Sequence, residues 1–70
     1  MSPAAFTGPQ ARAVMAAVAS LPAPERAVVE AVDVRGVPHA EAADALGVPL
    51  GIVMRRLYRG RQQVVRSLGS

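Results

Sequence analysis

Hydrophobic residues recur at helical spacing along most of the chain, between short breaks that contain proline or glycine. Where they recur, they follow the three- and four-residue steps of a helix with one buried face, and no segment alternates as a half-buried strand does. The pattern predicts helices over residues 10–21, 24–35, 39–46 and 50–67. Residues 1–9 are rich in Ser, Pro and Gly and are predicted to form a flexible tail or the end of a linker.

Each predicted helix has one side made mainly of small apolar residues. These are Val14, Ala17, Val18 and Leu21 in the first helix, Val28, Val29 and Val32 in the second, Ala42, Ala43 and Leu46 in the third, and Val53, Leu57, Gly60, Val64 and Leu68 in the fourth. Gly36 is predicted to end the second helix, and Gly47 to end the third in a left-handed conformation. The expected fold is all-α, a four-helix domain in which the short third helix, the turn at Gly47 and the fourth helix form a helix-turn-helix.

Composition limits what such a domain can hold. A chain of 70 residues fits one small domain or a fragment of a larger protein, and its hydrophobic residues are mostly Ala and Val. A core of small side chains leaves little room for an interior cofactor. The absence of cysteine excludes disulfides and thiolate metal sites. No apolar run approaches the length of a membrane span and no signal-peptide pattern is present, so a cytoplasmic domain without membrane contact is expected.

Charge is distributed unevenly along the chain. Residues 1–53 carry three Arg and five acidic residues, a net charge of −2, whereas residues 54–70 carry five Arg and no acid, a net charge of +5. The sum is the overall charge of +3. A concentration of positive charge on one segment is typical of a surface that binds a polyanion.

The fourth helix carries this charge on one side. With 100° per residue, the side opposite the apolar stripe carries Arg55, Arg59, Gln62 and Arg66. Tyr58 lies at one border of this polar side and Gln63 at the other. Guanidinium and amide groups suit contacts with phosphates and base edges. A solvated surface helix or a membrane-binding amphipathic helix would normally carry acidic or large apolar residues as well. The pattern therefore favours DNA.

Nothing in the sequence predicts catalysis. His39 is the only histidine and is expected to pack at the start of the third helix, where Glu41 supports the helix dipole. Glu25, Glu30 and Asp33 are expected to be solvated. No nucleophile–base pair, phosphate-binding loop or metal-ligand spacing occurs, so neither an enzyme, a cofactor, a bound metal nor a small-molecule substrate is expected.

Three motifs carry a family resemblance. They are "LP…ER" at the second helix, "G-x-x-H-x-E-x-A-x-x-LGVPLG-x-V" across the helix-turn-helix, and "R-L-x-R-G-R" in the fourth helix. Together they resemble region 4 of a bacterial sigma factor of the sigma-70 family, most closely the extracytoplasmic-function group. The resemblance covers nearly everything after residue 9.

The resemblance implies a domain that places its fourth helix in the major groove of the promoter −35 element. It also implies contact with the β flap of RNA polymerase core and often with an anti-sigma factor. The residues that match family positions at or near DNA are Leu50, Gly51, Arg55, Arg56, Tyr58 and Arg59. Arg61 and Arg66 are further candidates for phosphate contacts.

Several residues depart from the family pattern. Ile52 replaces a Thr, Met54 replaces a Lys or Arg, Pro38 replaces a Ser or Thr helix cap, and Ala42 replaces a larger Ile. Ile52 and Met54 are expected to be exposed, and Ile52 either packs on a thymine methyl group or fills a pocket on a protein partner. Two alternatives therefore remain. One is a protein-binding module held by an anti-sigma factor or another regulator, and the other is a LuxR-type response-regulator DNA-binding domain, which "RLYRGR" fits less well.

Overall fold

The computed structural model describes residues 8–69, and helices account for most of this part of the chain. Helix α1 is Pro9–Ala19, α2 is Ala23–Val29, α3 is His39–Leu46 and α4 is Leu50–Gly69, and a π-helical turn, Glu30–Val34, continues α2 without a break. The prediction of an all-helical, four-helix domain is confirmed.

The start of α1 differs from the prediction by one residue. Pro9, which was placed in the predicted tail, is the first residue of the helix. Proline suits this position because its φ is already helical and its missing N–H has no partner to lose. The rest of that tail, residues 1–7, lies outside the described residues.

The second helix ends in a wider turn than the sequence predicts. The Arg35 N–H donates to the Glu30 carbonyl at 3.0 Å, and the Val37 N–H donates to the Ala31 carbonyl at 2.9 Å. Gly36, with φ +74°, follows directly, so the prediction that it ends the second helix is confirmed. Hydrophobic spacing cannot reveal a single π-helical turn, because five residues are too few to establish a period.

The turn of the helix-turn-helix has a complete Schellman geometry. Gly47 adopts φ +67°, its N–H donates to the Asp44 carbonyl at 3.3 Å, and the Val48 N–H donates to the Ala43 carbonyl at 3.1 Å. Pro49 follows, and its carbonyl accepts the N–H groups of Ile52 and Val53 in the first turn of α4. The prediction that Gly47 is left-handed is confirmed, and the direction of α4 is set within a few residues.

The core lies between all four helices, and α4 packs against each of the other three. Its buried members are Val18, Leu21, Val28, Val29, Ala43, Val53 and Leu57, with Val14, Val32, Val48 and Val64 packed against them in part. The predicted stripes are therefore largely confirmed. The prediction is wrong at the C-terminal ends of two stripes, where Leu46 is 37% exposed and Leu68 is 46% exposed. Both lie at a helix C-terminus, where the stripe runs past its packing partners.

Helices α2 and α4 cross most closely at Gly60. A Cβ atom built on this glycine would lie 2.6 Å from Cγ2 of Val29 and 3.5 Å from Cβ of Glu25. The absence of a side chain at Gly60 is what allows the two helices to touch here.

Candidate nucleic-acid interface

One side of α4 presents arginines to solvent. Arg55 and Arg59 are exposed, and neither forms a hydrogen bond or an ion pair with any residue in 8–69. Between them Tyr58 is 64% exposed. The side-chain amide of Gln62 donates to the Tyr58 hydroxyl at 2.9 Å and so orients both polar groups on the same surface. We call the side formed by Arg55, Tyr58, Arg59 and Gln62 the basic face.

The N-terminus of α4 continues this surface. Leu50 and Gly51 are exposed at the end of the helix. The first hydrogen bonds to Pro49 begin at Ile52, so the backbone amides of Leu50 and Gly51 have no partner within the helix. A helix N-terminus with open amides is a favourable position for a phosphate. These two residues therefore contribute backbone donors to the surface.

The structure corrects the expectation for Ile52. Ile52 is half-buried rather than exposed, so only part of its side chain is available to a partner. Met54 is 46% exposed, as expected. Arg56 is half-buried at the border between the basic face and the packed side of the helix.

Arg61, a predicted phosphate contact, is bonded to an acidic residue of the domain. Its guanidinium donates two hydrogen bonds to the Asp33 carboxylate, at 2.8 and 2.7 Å. The hydrogen bond to Asp33 raises the pKa of Arg61, although partial burial opposes the shift. Asp33 is exposed, as expected, but the sequence did not predict its ion pair with Arg61. Arg66 is exposed on the same side of α4 as Arg55 and also interacts within the domain.

Glu25 of α2 and Glu30 of the π-helical turn are half-buried and so less solvated than expected. Glu30 lies 3.9 Å from Arg26, one helical turn away. Glu25 is half-buried, and its Oε2 is buried with no hydrogen-bond partner among residues 8–69. His39 is half-buried at the start of α3. In the described part of the chain, no group of three or more His, Cys, Asp or Glu residues is placed to hold a metal ion.

A second surface extends from the edge of the basic face toward α1. An apolar groove of about 690 Å³ runs between α1, the π-helical turn and the second half of α4. Its lining residues are Ala11, Val14, Met15, Val18, Val29, Asp33, Val34, Arg61, Val64 and Val65. Met15, Val34 and Val65 are exposed at 46%, 47% and 67%. We call this the apolar groove. Sequence reasoning missed it, because these residues belong to three different segments that only the fold brings together.

Comparison with known families decides which protein class carries these surfaces. The sequence profile described as Sigma-70, region 4 matches residues 11–64, most of the chain. The chain belongs to this family. The match covers α1, the helix-turn-helix and the arginine-rich half of α4, so the predicted resemblance is confirmed. Region 4 is a non-enzymatic family, in agreement with the sequence prediction, and membership in it replaces the LuxR-type alternative.

Named relatives of the region 4 domain are sigma factors. This chain is 47% identical over 49 residues to the ECF RNA polymerase sigma factor SigE of Mycolicibacterium smegmatis. The match covers 70% of this chain and 19% of that protein. It is 44% identical over 57 residues to the ECF RNA polymerase sigma factor SigM of Mycobacterium tuberculosis, in strains Erdman and H37Rv, covering 81% of this chain and 29% of that protein. No solved structure gives a significant match. The chain spans less than a third of the length of these relatives.

The structure brings together part of the predicted site of this region 4 domain. Gly51, Arg55, Tyr58 and Arg59 share one side of α4, and Leu50 lies at its exposed end. Arg56 borders that side, and Arg61 lies at its other edge, beside Tyr58, with its guanidinium bonded to Asp33. No helix within residues 8–69 has the length and hydrophobicity to cross a membrane.

Proposed function

We propose that this region 4 domain recognises the −35 element of a promoter and directs RNA polymerase to it as part of an extracytoplasmic-function sigma factor in the bacterial cytoplasm. The observation that carries the proposal is the basic face, an exposed and acid-free surface on the helix that follows a tight turn. Membership in the region 4 family and the names of the relatives support it.

Each part of the surface suits one type of DNA contact. The guanidinium of Arg59 lies in the middle of the basic face and has the forked donors that recognise O6 and N7 of guanine. Arg55 and the open amides of Leu50 and Gly51 are donors suited to phosphate oxygens near the start of the helix. Tyr58 and Gln62, joined by their hydrogen bond, supply a fixed pair of polar groups between them. The second helix of a helix-turn-helix enters the major groove in this manner.

A salt titration tests this proposal. The probe is a duplex selected by this chain from random-sequence DNA, and binding is followed by fluorescence anisotropy. Contacts with about three to four phosphates predict a slope of log K against log salt near −3, or a loss of about 60-fold in affinity between 50 and 200 mM salt. Arg59→Ala is expected to cost about 1–3 kcal/mol and to relax selectivity at one base pair.

The matched control is Arg12→Ala, which removes an exposed positive charge from α1. It is expected to change affinity much less than Arg59→Ala, because α1 does not carry the basic face. A slope near zero, or equal losses for the two variants, would rule out recognition of DNA by α4.

We propose a second function for the domain, the docking of a protein partner in the apolar groove. The observation that favours it is the exposure of Met15, Val34 and Val65 along one continuous depression. Exposed apolar surface of this kind is typical of a protein interaction site. The β flap of RNA polymerase core and an anti-sigma factor are the partners that region 4 membership suggests. The groove and the basic face meet along α4, where Arg61 and Val65 of the groove lie beside Tyr58 and Gln62.

Met15→Asp tests the groove. A charge placed among apolar side chains is expected to weaken binding to RNA polymerase core at least about tenfold, since the carboxylate must be desolvated on docking. Binding to DNA is expected to change little. The matched control is Ala40→Asp, which adds the same charge at an exposed site on α3 outside the groove. Unchanged binding of Met15→Asp to both the core enzyme and an anti-sigma factor would exclude the groove as the docking surface.

A further inference from the structure

An ion pair joins the π-helical turn to the second half of α4. Arg61 donates from Nε to Oδ2 of Asp33 at 2.8 Å and from Nη2 to Oδ1 at 2.7 Å. Two parallel bonds of this kind form the forked geometry in which guanidinium and carboxylate match. The residues are 28 positions apart, so the pair is a tertiary contact. It differs in this respect from Arg26 and Glu30, which lie one turn apart on α2 and its continuation.

The pair lies where apolar packing of α4 becomes thin. Val53, Leu57 and Gly60 are buried, but one turn later Val64 is only half-buried and Val65 is 67% exposed. The first half of the helix is therefore held by the core, whereas the second half has fewer buried contacts to fix it. The bond to Asp33 is made at the start of this second half.

Arg61 lies at the edge of the basic face and not in the middle of it. Arg59 and Arg61 are about 160° apart around the helix, because each residue advances about 100°. Arg61 lines the apolar groove beside Val64 and also lies next to Tyr58 and Gln62. Its guanidinium is 2.7 Å from a carboxylate that already occupies its fork of donors. The fork of Arg61 is therefore turned to Asp33 and not to a phosphate that Arg59 would bind.

We propose that Asp33 and Arg61 are positioning residues for DNA recognition and that Arg61 does not contact phosphate. The inference rests on the proposed recognition of DNA by the basic face. The pair anchors the second half of α4 to the π-helical turn, so that Arg59 and Gln62 approach the bases along a fixed helix axis. An exposed ion pair contributes little to global stability. Its effect is therefore on the direction of the helix and on selectivity.

Arg61→Gln and the exchanged variant Asp33→Arg with Arg61→Asp test the inference. Binding of the full chain is measured on the selected duplex and on a scrambled duplex, each at several salt concentrations. Arg61→Gln is expected to weaken binding to the selected duplex by about 3- to 10-fold, the usual size of a coupling between contacting residues. Its salt slope stays that of the unchanged protein, and the scrambled duplex is bound almost as before. The exchanged variant restores most of the lost selectivity.

The control is Arg12→Gln, which removes one positive charge from α1, as Arg61→Gln does from α4. It is expected to leave selectivity unchanged. Circular dichroism at the titration temperature establishes that each variant is folded. If Arg61→Gln is not folded, Arg61→Lys takes its place, because lysine keeps the positive charge but lacks the forked donors. A loss of selectivity with an unchanged salt slope is again the expected result.

Two results overturn the inference alone. One is a salt slope reduced by about one together with equal losses on both duplexes, which identifies Arg61 as a phosphate contact. The other is an exchanged variant that regains no selectivity. An unchanged protein that shows no selective binding at all overturns the proposed function first, and the inference with it, so the two failures are distinguishable.

Discussion

Leu57→Ala is expected to lower the free energy of unfolding by about 2–5 kcal/mol. Leu57 is 1% exposed and is among the largest fully buried side chains of the domain. The other core residues are mostly Val and Ala, so few neighbouring atoms can move to fill the space that it leaves. A domain of this size has a total stability of about 4–10 kcal/mol, so the variant is expected to be near the limit of folding. Urea unfolding followed by circular dichroism measures the effect.

Leu68→Ala is the matched control on the same helix. Leu68 is 46% exposed, so the same truncation is expected to change stability by less than about 0.5 kcal/mol. Similar losses for the two variants would mean that the stripe remains buried to its end, as the sequence suggested, and that the described packing of α4 is wrong.

Gly60→Ala is expected to destabilise the domain by about 1–2 kcal/mol, although alanine normally favours a helix. The new Cβ would lie 2.6 Å from Cγ2 of Val29, a stiff β-branched side chain that is itself buried. The steric cost of about 1–3 kcal/mol exceeds the gain of about 1 kcal/mol in helix propensity. Thermal or urea unfolding measures the change. Because Gly60 lies next to Arg59, a shift of α4 at this crossing is also expected to weaken DNA binding.

Two further variants isolate the cause. Gly51→Ala makes the same change on the same helix where no atom lies within 4 Å of the new Cβ, so it is expected to stabilise the domain by about 0.5–1 kcal/mol. Adding Val29→Ala to Gly60→Ala removes the clash, and the double variant is expected to be more stable than the sum of the single effects predicts. An additive double variant would show that the crossing at Gly60 is looser than described.

The fold was predictable because every helix ends at a residue with its own local signal. Proline at the starts and glycine at the ends of helices limit the conformations of their neighbours, and the steps of three and four residues between them fix the buried sides. Leu46 and Leu68 were placed wrongly for a single reason. Periodicity says which side of a helix is apolar but not how far the neighbouring helices extend along it.

The candidate site was predictable only where it depends on one helix. Arg55, Arg59 and Tyr58 lie on one side of α4 by spacing alone, whatever the rest of the fold. Arg61 has the same residue type in the same segment, yet its environment depends on Asp33, which is 28 residues earlier in the chain. The apolar groove could not be predicted for the same reason, since its walls come from segments that are far apart in the sequence. Contacts between distant segments carry no short-range pattern in a single sequence.

The π-helical turn at Glu30–Val34 has a consequence for how sequences of this domain align. A turn of this type holds one more residue than the α-helical turn that it replaces. A relative that lacks the extra residue can therefore continue α2 as an ordinary α-helix with its following side chains on the same side, because the wide turn absorbs that residue. If all the residues of Glu30–Val34 were instead wound as an α-helix, the side chains at the end of the turn would be displaced by up to about 100° round the axis. The wide turn is therefore part of what brings Asp33 to Arg61.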